Sequence, residues 1–300
     1  MSSFFLGWIY WNPPRDLFHL PLIQHPVSWY GILFVVGLLL SYFVMEQRLR
    51  YFLKLSREES RRLCDRFLWT MAFALLVGAR FGHILFYEPL YYLDHPAEIV
   101  KTWHGGLASH GAALAIPLAL CLFSWYYRPR YPQLTFLALF DLLAIPVPLC
   151  GFFIRLGNFV NQEIVGAPSQ LPWAVLFALP AEGGVPVPRH PVQLYEALGY
   201  LTISFFLFLL GRRTGKASIG AGLLSGWMLL LLFGSRFIFE VFKAAQGGWM
   251  ELGPLSSGQW LSLPFLMWGL FLVWRGSGSI HPSAEHPADS IRKESRFQGF

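Results

Sequence analysis

Apolar residues in this chain fall into seven long, almost uncharged segments. They run approximately over 27–46, 67–87, 107–127, 135–155, 192–211, 219–241 and 258–274. Each is close to the roughly 20 residues that a helix needs to cross a bilayer core. Membrane strands would alternate lipid-facing and lumen-facing residues, and these runs are continuous, so they predict helices. The expectation is an all-α polytopic membrane protein with seven transmembrane helices in residues 27–275. Residues 1–26 are aromatic and proline-rich and predict an interfacial arm rather than a span. Residues 156–191 form the longest loop, with six prolines from Pro168 to Pro191. A loop of that length is usually functional or disordered. From about 276 the chain is polar, which predicts a disordered tail. There is no internal repeat, and no basic stretch precedes a first apolar run as in a cleavable signal peptide.

Composition supports this class. Hydrophobic residues make up 55% of the chain and charged residues 13%, with a mean hydropathy of +0.46; soluble domains carry about 25% charged residues. Twelve Trp and twelve Tyr can supply rings to both membrane interfaces. The net charge of +6 follows topology, so it is no nucleic-acid footprint. Of 23 Lys and Arg, 16 fall on one side of the seven spans: seven from Arg48 to Arg66, then Arg128, Arg130, Arg212, Arg213, Lys216, Arg275, Arg292, Lys293 and Arg296. The other side holds Arg15, Lys101, Arg189 and Lys243. The positive-inside rule therefore puts the N-terminus outside and the C-terminus in the cytoplasm. Three cysteines give no disulfide framework; Cys64 is placed in a basic loop, and Cys121 and Cys150 in apolar segments.

The three remaining cations, Arg80, Arg155 and Arg236, lie in or at the lip of spans, where each costs roughly 2.5–3.5 kcal/mol on insertion scales. With the topology above they share the outer half of the bundle with His110, Glu196 and Glu240. The inner half is nearly plain hydrocarbon, with Asp141 as the exception.

Four strings carry candidate chemistry. Arg155-Leu-Gly-Asn158-Phe-Val-Asn161-Gln-Glu163-Ile-Val-Gly166 reads as a helix end followed by a polar loop. Its arginine offers a planar fork suited to phosphate, Asn158 and Asn161 can share a face, and Gly157 and Gly166 permit close backbone approach. A snorkelling arginine at a capped helix end is the plainer reading. His104-Gly-Gly-Leu-Ala-Ser-His110-Gly reads as two glycines opening a helix with a histidine just inside it, either a general base or a structural hydrogen-bonding residue. In Arg189-His190-Pro191-Val-Gln193-Leu-Tyr195-Glu196 the last residue either serves function or complements a helix dipole. Arg236 and Glu240, four apart, can pair on one helix face. Gly78 and Gly82 around Arg80 form a small-xxx-small packing face. There is no metal pattern, phosphate loop or dinucleotide loop, so no metal and no cofactor are expected.

An outward cavity lined by arginine within lipid suits an amphiphile with an anionic head, a phospholipid above all. A transporter of an anionic metabolite would share the arginines, although such sites tend to lie near the midplane in repeated, discontinuous helices. A non-catalytic lipid or lipoprotein receptor would share them too, without needing a proton acceptor.

The same strings, in order over roughly 26–275, resemble the prolipoprotein diacylglyceryl transferases. Trp29-Tyr30-Gly31, Gly78-Ala-Arg80, His110-Gly, Asp141, the Arg155–Gly166 string, Arg189 to Glu196, Arg236 to Glu240 and Gly258-Gln259-Trp-Leu-Ser-Leu-Pro264 all match in kind. The resemblance implies a multi-pass enzyme of the bacterial inner membrane with its active site toward the periplasm. Such an enzyme moves the diacylglyceryl group of phosphatidylglycerol to the lipobox cysteine of a preprolipoprotein, forming a thioether and releasing glycerol 1-phosphate. Its implied partners are phosphatidylglycerol, other membrane lipids and lipobox peptides, with no nucleic acid. Catalytic roles then fall to Arg155 and Arg236, which hold the phosphate, and to His110 as proton acceptor, a role a lipid phosphate or water could also fill. Tyr30, Asn158, Asn161 and Gly166 would contact substrate, Glu163 and Glu240 would orient the arginines, and Arg80 is a second phosphate contact or a structural ion. Departures from the family pattern are Ser109, Ala112, Ile154 and the run Phe242-Lys243-Ala-Ala-Gln246 after Glu240.

Overall fold

The computed structural model describes residues 8–19, 26–102, 105–106, 108–181, 183, 185–244 and 255–280, without the side chains of 109, 110, 279 and 280. Every apolar segment carries a helix. In chain order these are α1 (Trp29–Leu53), α2 (Arg57–Phe86), the short α3 (Pro89–Asp94), α4 (Ser109–Tyr127), α5 (Phe136–Leu143), α6 (Pro146–Asn161), α7 (Val192–Thr214), α8 (Leu223–Phe239) and α9 (Ser257–Ile280). Four of them, α1, α2, α7 and α8, are long and apolar enough to cross a membrane, or five spans if the bent pair α5–α6 counts as one.

The fourth predicted span is not one straight helix. α5 and α6 meet at 41°, because Pro146 and Pro148 cannot donate backbone hydrogen bonds and their rings clash with the preceding turn. Carbonyls at the break are met by neighbouring hydroxyls: Ser41 Oγ of α1 donates to Pro146 O (2.9 Å) and Ser204 Oγ of α7 to Ile145 O (3.1 Å). Away from water such compensation is obligatory. α5 also stops one helix end from fraying. Asp141 on it accepts from Gly220 N (2.9 Å), Gly222 N (2.8 Å), Ser225 N (2.8 Å) and Ser225 Oγ (2.8 Å), a carboxylate fastened to the positive end of α8.

Helices outrun the predicted spans at the charged end. Ser28 caps α1 through Gly31 N, and α1 continues to Leu53 before Lys54 turns left-handed. Ser56 then caps α2 by accepting from Glu59 N (3.2 Å). The predicted basic loop is thus mostly helix, and Cys64, expected in that loop, is buried in α2. The same extension draws Glu46 and Arg48 of α1 inward, where Glu46 takes a short hydrogen bond from Ser60 Oγ. The end of the bundle predicted as plain hydrocarbon therefore holds two more charges. At the other extremity α9 runs to Ile280, past the expected end of the domain at 275; residues beyond 280 lie outside the described residues.

α2 and α4 cross closely. A Cβ on Gly111 would sit 2.1 Å from Gly78 O and 2.7 Å from Gly82 Cα, so the predicted small-residue face is the contact itself. One apolar core joins α1, α2, α4 and α5 through Leu49, Phe67, Leu120, Phe123 and Leu139. A second joins α7, α8 and α9 around the α5–α6 break through Leu207, Leu224, Met228 and Leu272.

The segment after α6 is structured. β4 (Val175–Phe177) pairs antiparallel with β5 (Pro188–Arg189) and parallel with β1 (Ile9–Trp11) of the N-terminal region, in register Ile9↔Val175 to Trp11↔Phe177. Trp11 Nε1 donates to Phe159 O (3.0 Å), and its ring lies 4.5 Å from that of Phe159. β2 (Asp16–His19) pairs antiparallel with β3 (Pro26–Ser28) and leads into α1.

The α2–α4 crossing yields a stability test. Gly111→Leu should cost about 1–3 kcal/mol, the usual range for overpacking, and lower the unfolding temperature of detergent-solubilised protein followed by tryptophan fluorescence. Gly278→Leu, with open space around it, should stay within about 0.5 kcal/mol of the parent.

Candidate active site

α6 does not end at Arg155, as the sequence suggests, but runs on to Asn161. Arg155, Asn158 and Asn161 thus occupy its last turns, on one face at helical spacing. Gln162 closes the helix with φ +57°, and Ile164 has φ +55°. The left-handed region is rare for any residue but glycine and exceptional for a β-branched one; such positions cost about 1–3 kcal/mol each and gather at functional sites. Here they bracket Glu163 and fold its carboxylate back onto α6. Asn158 Nδ2 donates to Glu163 Oε2 (2.8 Å) and Asn161 Nδ2 to Oε1 (3.1 Å). Asn158 Oδ1 accepts from Arg155 Nη1 (3.0 Å), so one amide bridges the arginine and the glutamate.

The turn is held from outside. Buried Gln162 accepts from Leu179 N (2.7 Å) through Oε1 and from Ala181 N (3.0 Å) through its carbonyl. Gln193 Nε2 at the start of α7 donates to Glu163 O (2.7 Å). Gly166 packs directly on His190: a Cβ there would lie 2.3 Å from His190 O, and Gly166 N donates to that same oxygen.

Arg155 is gripped from its other side by Glu196 of α7, with Nε 2.7 Å from Oε2. That approach is close but not collinear, so it is an ion pair rather than an aligned hydrogen bond. Glu196 has no solvent exposure, and its Oε1 lies 3.0 Å from Lys243 Nζ. Lys243 Nζ in turn lies 3.0 Å from Glu240 Oε2. The result is a row of alternating charges, Arg155, Glu196, Lys243 and Glu240, from α6 through α7 to the turn after α8. Glu240 leans on Gly258 of α9, where a Cβ would be 2.3 Å from Oε1. Backbone pairing secures the lysine: Ala167 N donates to Phe242 O (2.8 Å), and Gly166 and Lys243 form an antiparallel bridge.

The expected Arg236–Glu240 pair does not form, because Glu240 turns to Lys243. Arg236 has no carboxylate partner among the described residues, and its Nε is buried without a hydrogen bond. Tyr30, at the start of α1, lays its ring on Gly157, where a Cβ would be 2.6 Å from Cδ2. Tyr195 lies 3.3 Å from His190 Nδ1 and accepts from Trp173 Nε1 (2.8 Å).

Arg80 stands apart from this network, and the His110 side chain is not among those described. Arg80 is spent on backbone: Nε donates to Ile99 O (2.9 Å), Nη1 to Gly105 O (2.7 Å) and Gly106 O (3.0 Å), and Nη2 to Glu98 O, while Tyr92 stacks 4.9 Å from the guanidinium. Gly105 and Gly106, read from the sequence as opening a helix, instead form with φ +90° and +74° the carbonyl hook that holds Arg80. His110 is in the first turn of α4, and its side chain lies outside the described residues.

Sequence reasoning passed over Lys243 and did not assign Glu196 its cation. Lys243 was visible at i+3 from Glu240, but the Arg155–Glu196 contact joins residues far apart in the chain and had no local signal. No group of three or more His, Cys, Asp or Glu able to hold a metal occurs among the described residues.

A family model described as prolipoprotein diacylglyceryl transferase matches residues 16–275. Three relatives carry the name phosphatidylglycerol--prolipoprotein diacylglyceryl transferase. That of Protochlamydia amoebophila (strain UWE25) is 36% identical, over 92% of this chain and 96% of its own length. That of Chlamydia trachomatis serovar D is 39% identical, over 90% and 98%. That of Tolumonas auensis is 42% identical, over 88% and 96%. The matched region contains α1 to α8 whole, and with them the charge row from Arg155 to Glu240 and the strained turn at Glu163; the chain belongs to the prolipoprotein diacylglyceryl transferase family.

Proposed function

We propose that this chain transfers the diacylglyceryl group of phosphatidylglycerol to the cysteine thiol of a prolipoprotein, the first step of lipoprotein maturation, at the Arg155–Arg236 site. The observation that carries the site assignment is the contrast between its arginines. Arg155 is held rigidly by Glu196 and Asn158, while Arg236 is left without a carboxylate. A half-buried cation without a carboxylate is costly in lipid, and a bound phosphate supplies the missing charge.

In this reading the lipid phosphate lies between Arg236 and Arg155 Nη2, which makes no hydrogen bond among the described residues. The cysteine thiol gives its proton to His110. The thiolate attacks the diacylglycerol carbon bearing the phosphate ester, a C–S bond forms, and the C–O electron pair leaves with glycerol 1-phosphate. Charge grows on that leaving oxygen, and pre-oriented guanidinium donors stabilise it most in the transition state. Asn158, Asn161 and Glu163 fix the side of Arg155 away from the lipid. Tyr30 offers a hydroxyl at the mouth, and Gly166 gives backbone approach. Glu240 keeps Lys243 in place and so acts on Arg155 through Glu196. Of the two roles open to Arg80, its four carbonyl contacts support the structural one, holding the loop before α4 and hence the entry to His110.

The membrane arrangement belongs to the same proposal: seven spans, with α4 and α9 crossing besides the helices above, the N-terminus and active site periplasmic and the C-terminus cytoplasmic. The β1 and β2–β3 region then lies as an arm on the periplasmic surface. The 16-to-4 bias of Lys and Arg supports it.

Two tests follow. Initial rates of lipobox-peptide lipidation, at matched amounts of membrane-inserted protein, should fall by orders of magnitude in Arg155→Ala and Arg236→Ala. Arg155→Lys should not rescue, since it keeps charge but loses the fork. A loss of about 1.4 kcal/mol of transition-state stabilisation is tenfold in rate. Arg62→Ala, paired with Glu58 on the helix surface, should be nearly silent. Near-normal rates in both alanine variants would remove the phosphate assignment. Separately, alkaline phosphatase fused after Lys243 should be active and a fusion at Arg213 inactive; the reverse pattern would place the site on the wrong face for an exported precursor.

A further inference from the structure

Arg48 is a second half-buried cation without an ion-pair partner among the described residues, at the opposite end of the bundle. It follows Trp29 by 19 residues on α1, a rise of about 28 Å, close to the ~30 Å depth of a hydrocarbon core. Its Nε and Nη2 are buried with no hydrogen bond. It makes no ion pair among the described residues. Asp141, whose charge Arg48 senses, already accepts four hydrogen bonds from the start of α8. Gly211 of α7 admits the guanidinium: a Cβ there would lie 3.1 Å from Nη1 and 3.7 Å from Nη2.

Beside this guanidinium a cavity of about 330 Å³ opens between α1 and α7, lined among others by Gln47, Arg48, Tyr51, Ile145, Phe208 and Arg212. No Asp or Glu lines it. Further positive charge surrounds it: Arg212 lies 5.7 Å over the Phe208 ring, and Lys216 Nζ lies 4.9 Å over the Tyr51 ring. Toward the middle of the bundle the same faces become apolar and exposed, with Leu40 on α1 and Leu201 and Phe205 on α7. Cations at headgroup depth above exposed apolar side chains are complementary to a phosphate that carries acyl chains.

We propose that this cavity is a binding site for an anionic phospholipid of the leaflet facing the α1 C-terminus, with its phosphate on Arg48 and Arg212 and a chain against the exposed apolar side chains of α1 and α7. It is separate from the active site and lies across the membrane from it. A lipid held there fills the seam between α1 and α7, the two helices whose serines meet the α5–α6 break.

The test uses full-length protein, delipidated in neutral detergent and titrated with phosphatidylglycerol, phosphatidylcholine or inorganic phosphate, with bound molecules counted by native mass spectrometry. We expect two phosphatidylglycerol binding events in the parent. Arg236→Ala should abolish one and Arg48→Gln the other, while Arg48→Gln keeps a transfer rate within about twofold of the parent at saturating lipid, being remote from the chemistry. Arg212→Gln, at the exposed rim and no threat to folding, should weaken the Arg48-dependent event about fivefold. Phosphatidylcholine should not replace it. Retention of both events in Arg48→Gln and Arg212→Gln would overturn the site, and occupation by inorganic phosphate but not by phosphatidylglycerol would overturn its assignment to a lipid. Because the two events depend on different arginines, loss of the Arg236-dependent event alone tests only the active-site reading.

Discussion

A carboxylate sealed from water organises the functional end of this molecule. Glu196 lies between Arg155 and Lys243 with no solvent exposure. Burying one such charge costs several kcal/mol, and removing one member of a buried pair typically costs about 3–5 kcal/mol because its partner is left unneutralised. The fold is therefore constrained to deliver both cations to one carboxylate. Arg155 arrives on α6 and Lys243 on the turn after α8. Lys243 is followed into place by backbone pairing with residues 165–167, so the strained turn at Glu163, the start of α7 and the end of α8 are locked together. What this rigidity gives the site is one guanidinium edge with a set direction, while Arg236, the other arginine of the proposed site, has no carboxylate partner among the described residues.

The rest of the bundle positions that end. Pro146 and Pro148 break the fourth apolar segment, and the break redirects α6 so that its last turns meet α7. Hydroxyls from α1 and α7 satisfy the break, which ties its angle to both neighbours. Asp141 anchors α8 one turn before that break, so the helix carrying Arg236 and the helix carrying Arg155 are set from a common point. The glycine crossing of α2 and α4 does the same for the start of α4, with Ala108 N donating to Ala79 O (2.8 Å) across the crossing.

Hydropathy made the helices legible, because bilayer thickness imposes a length that no local accident imitates. It said less about their ends, which depend on capping: Ser28, Ser56 and the left-handed Lys54 set helix ends beyond the apolar stretch, and with them Cys64 moves from an expected loop into the packed interior and Arg48 onto a helix. Single-residue chemistry was partly legible. Asn158, Asn161 and Glu163 lie within one string, and the structure brings them together. Arg80 and Arg155 look alike in sequence, both being arginines in apolar runs, yet one is saturated by four backbone carbonyls and the other is ion-paired with Glu196. The Arg155–Glu196 pair leaves Nη2 free among the described residues where the carbonyls leave Arg80 no free edge, and that difference rests on contacts remote in sequence. The partner of Glu240 was misread for the opposite reason: two cations stood within reach, at i−4 and i+3, and only the backbone pairing of Lys243 decides between them.

In the proposed site Glu196 acts through Arg155 rather than on its own. A double-mutant cycle on the lipidation rate of folded, membrane-inserted protein tests this most directly, using Glu196→Gln, Arg155→Ala and the pair. Strong non-additivity is expected: Glu196→Gln slows transfer in the parent, and adding it to Arg155→Ala slows transfer no further. Losses that multiply, as for two independent residues, would contradict it.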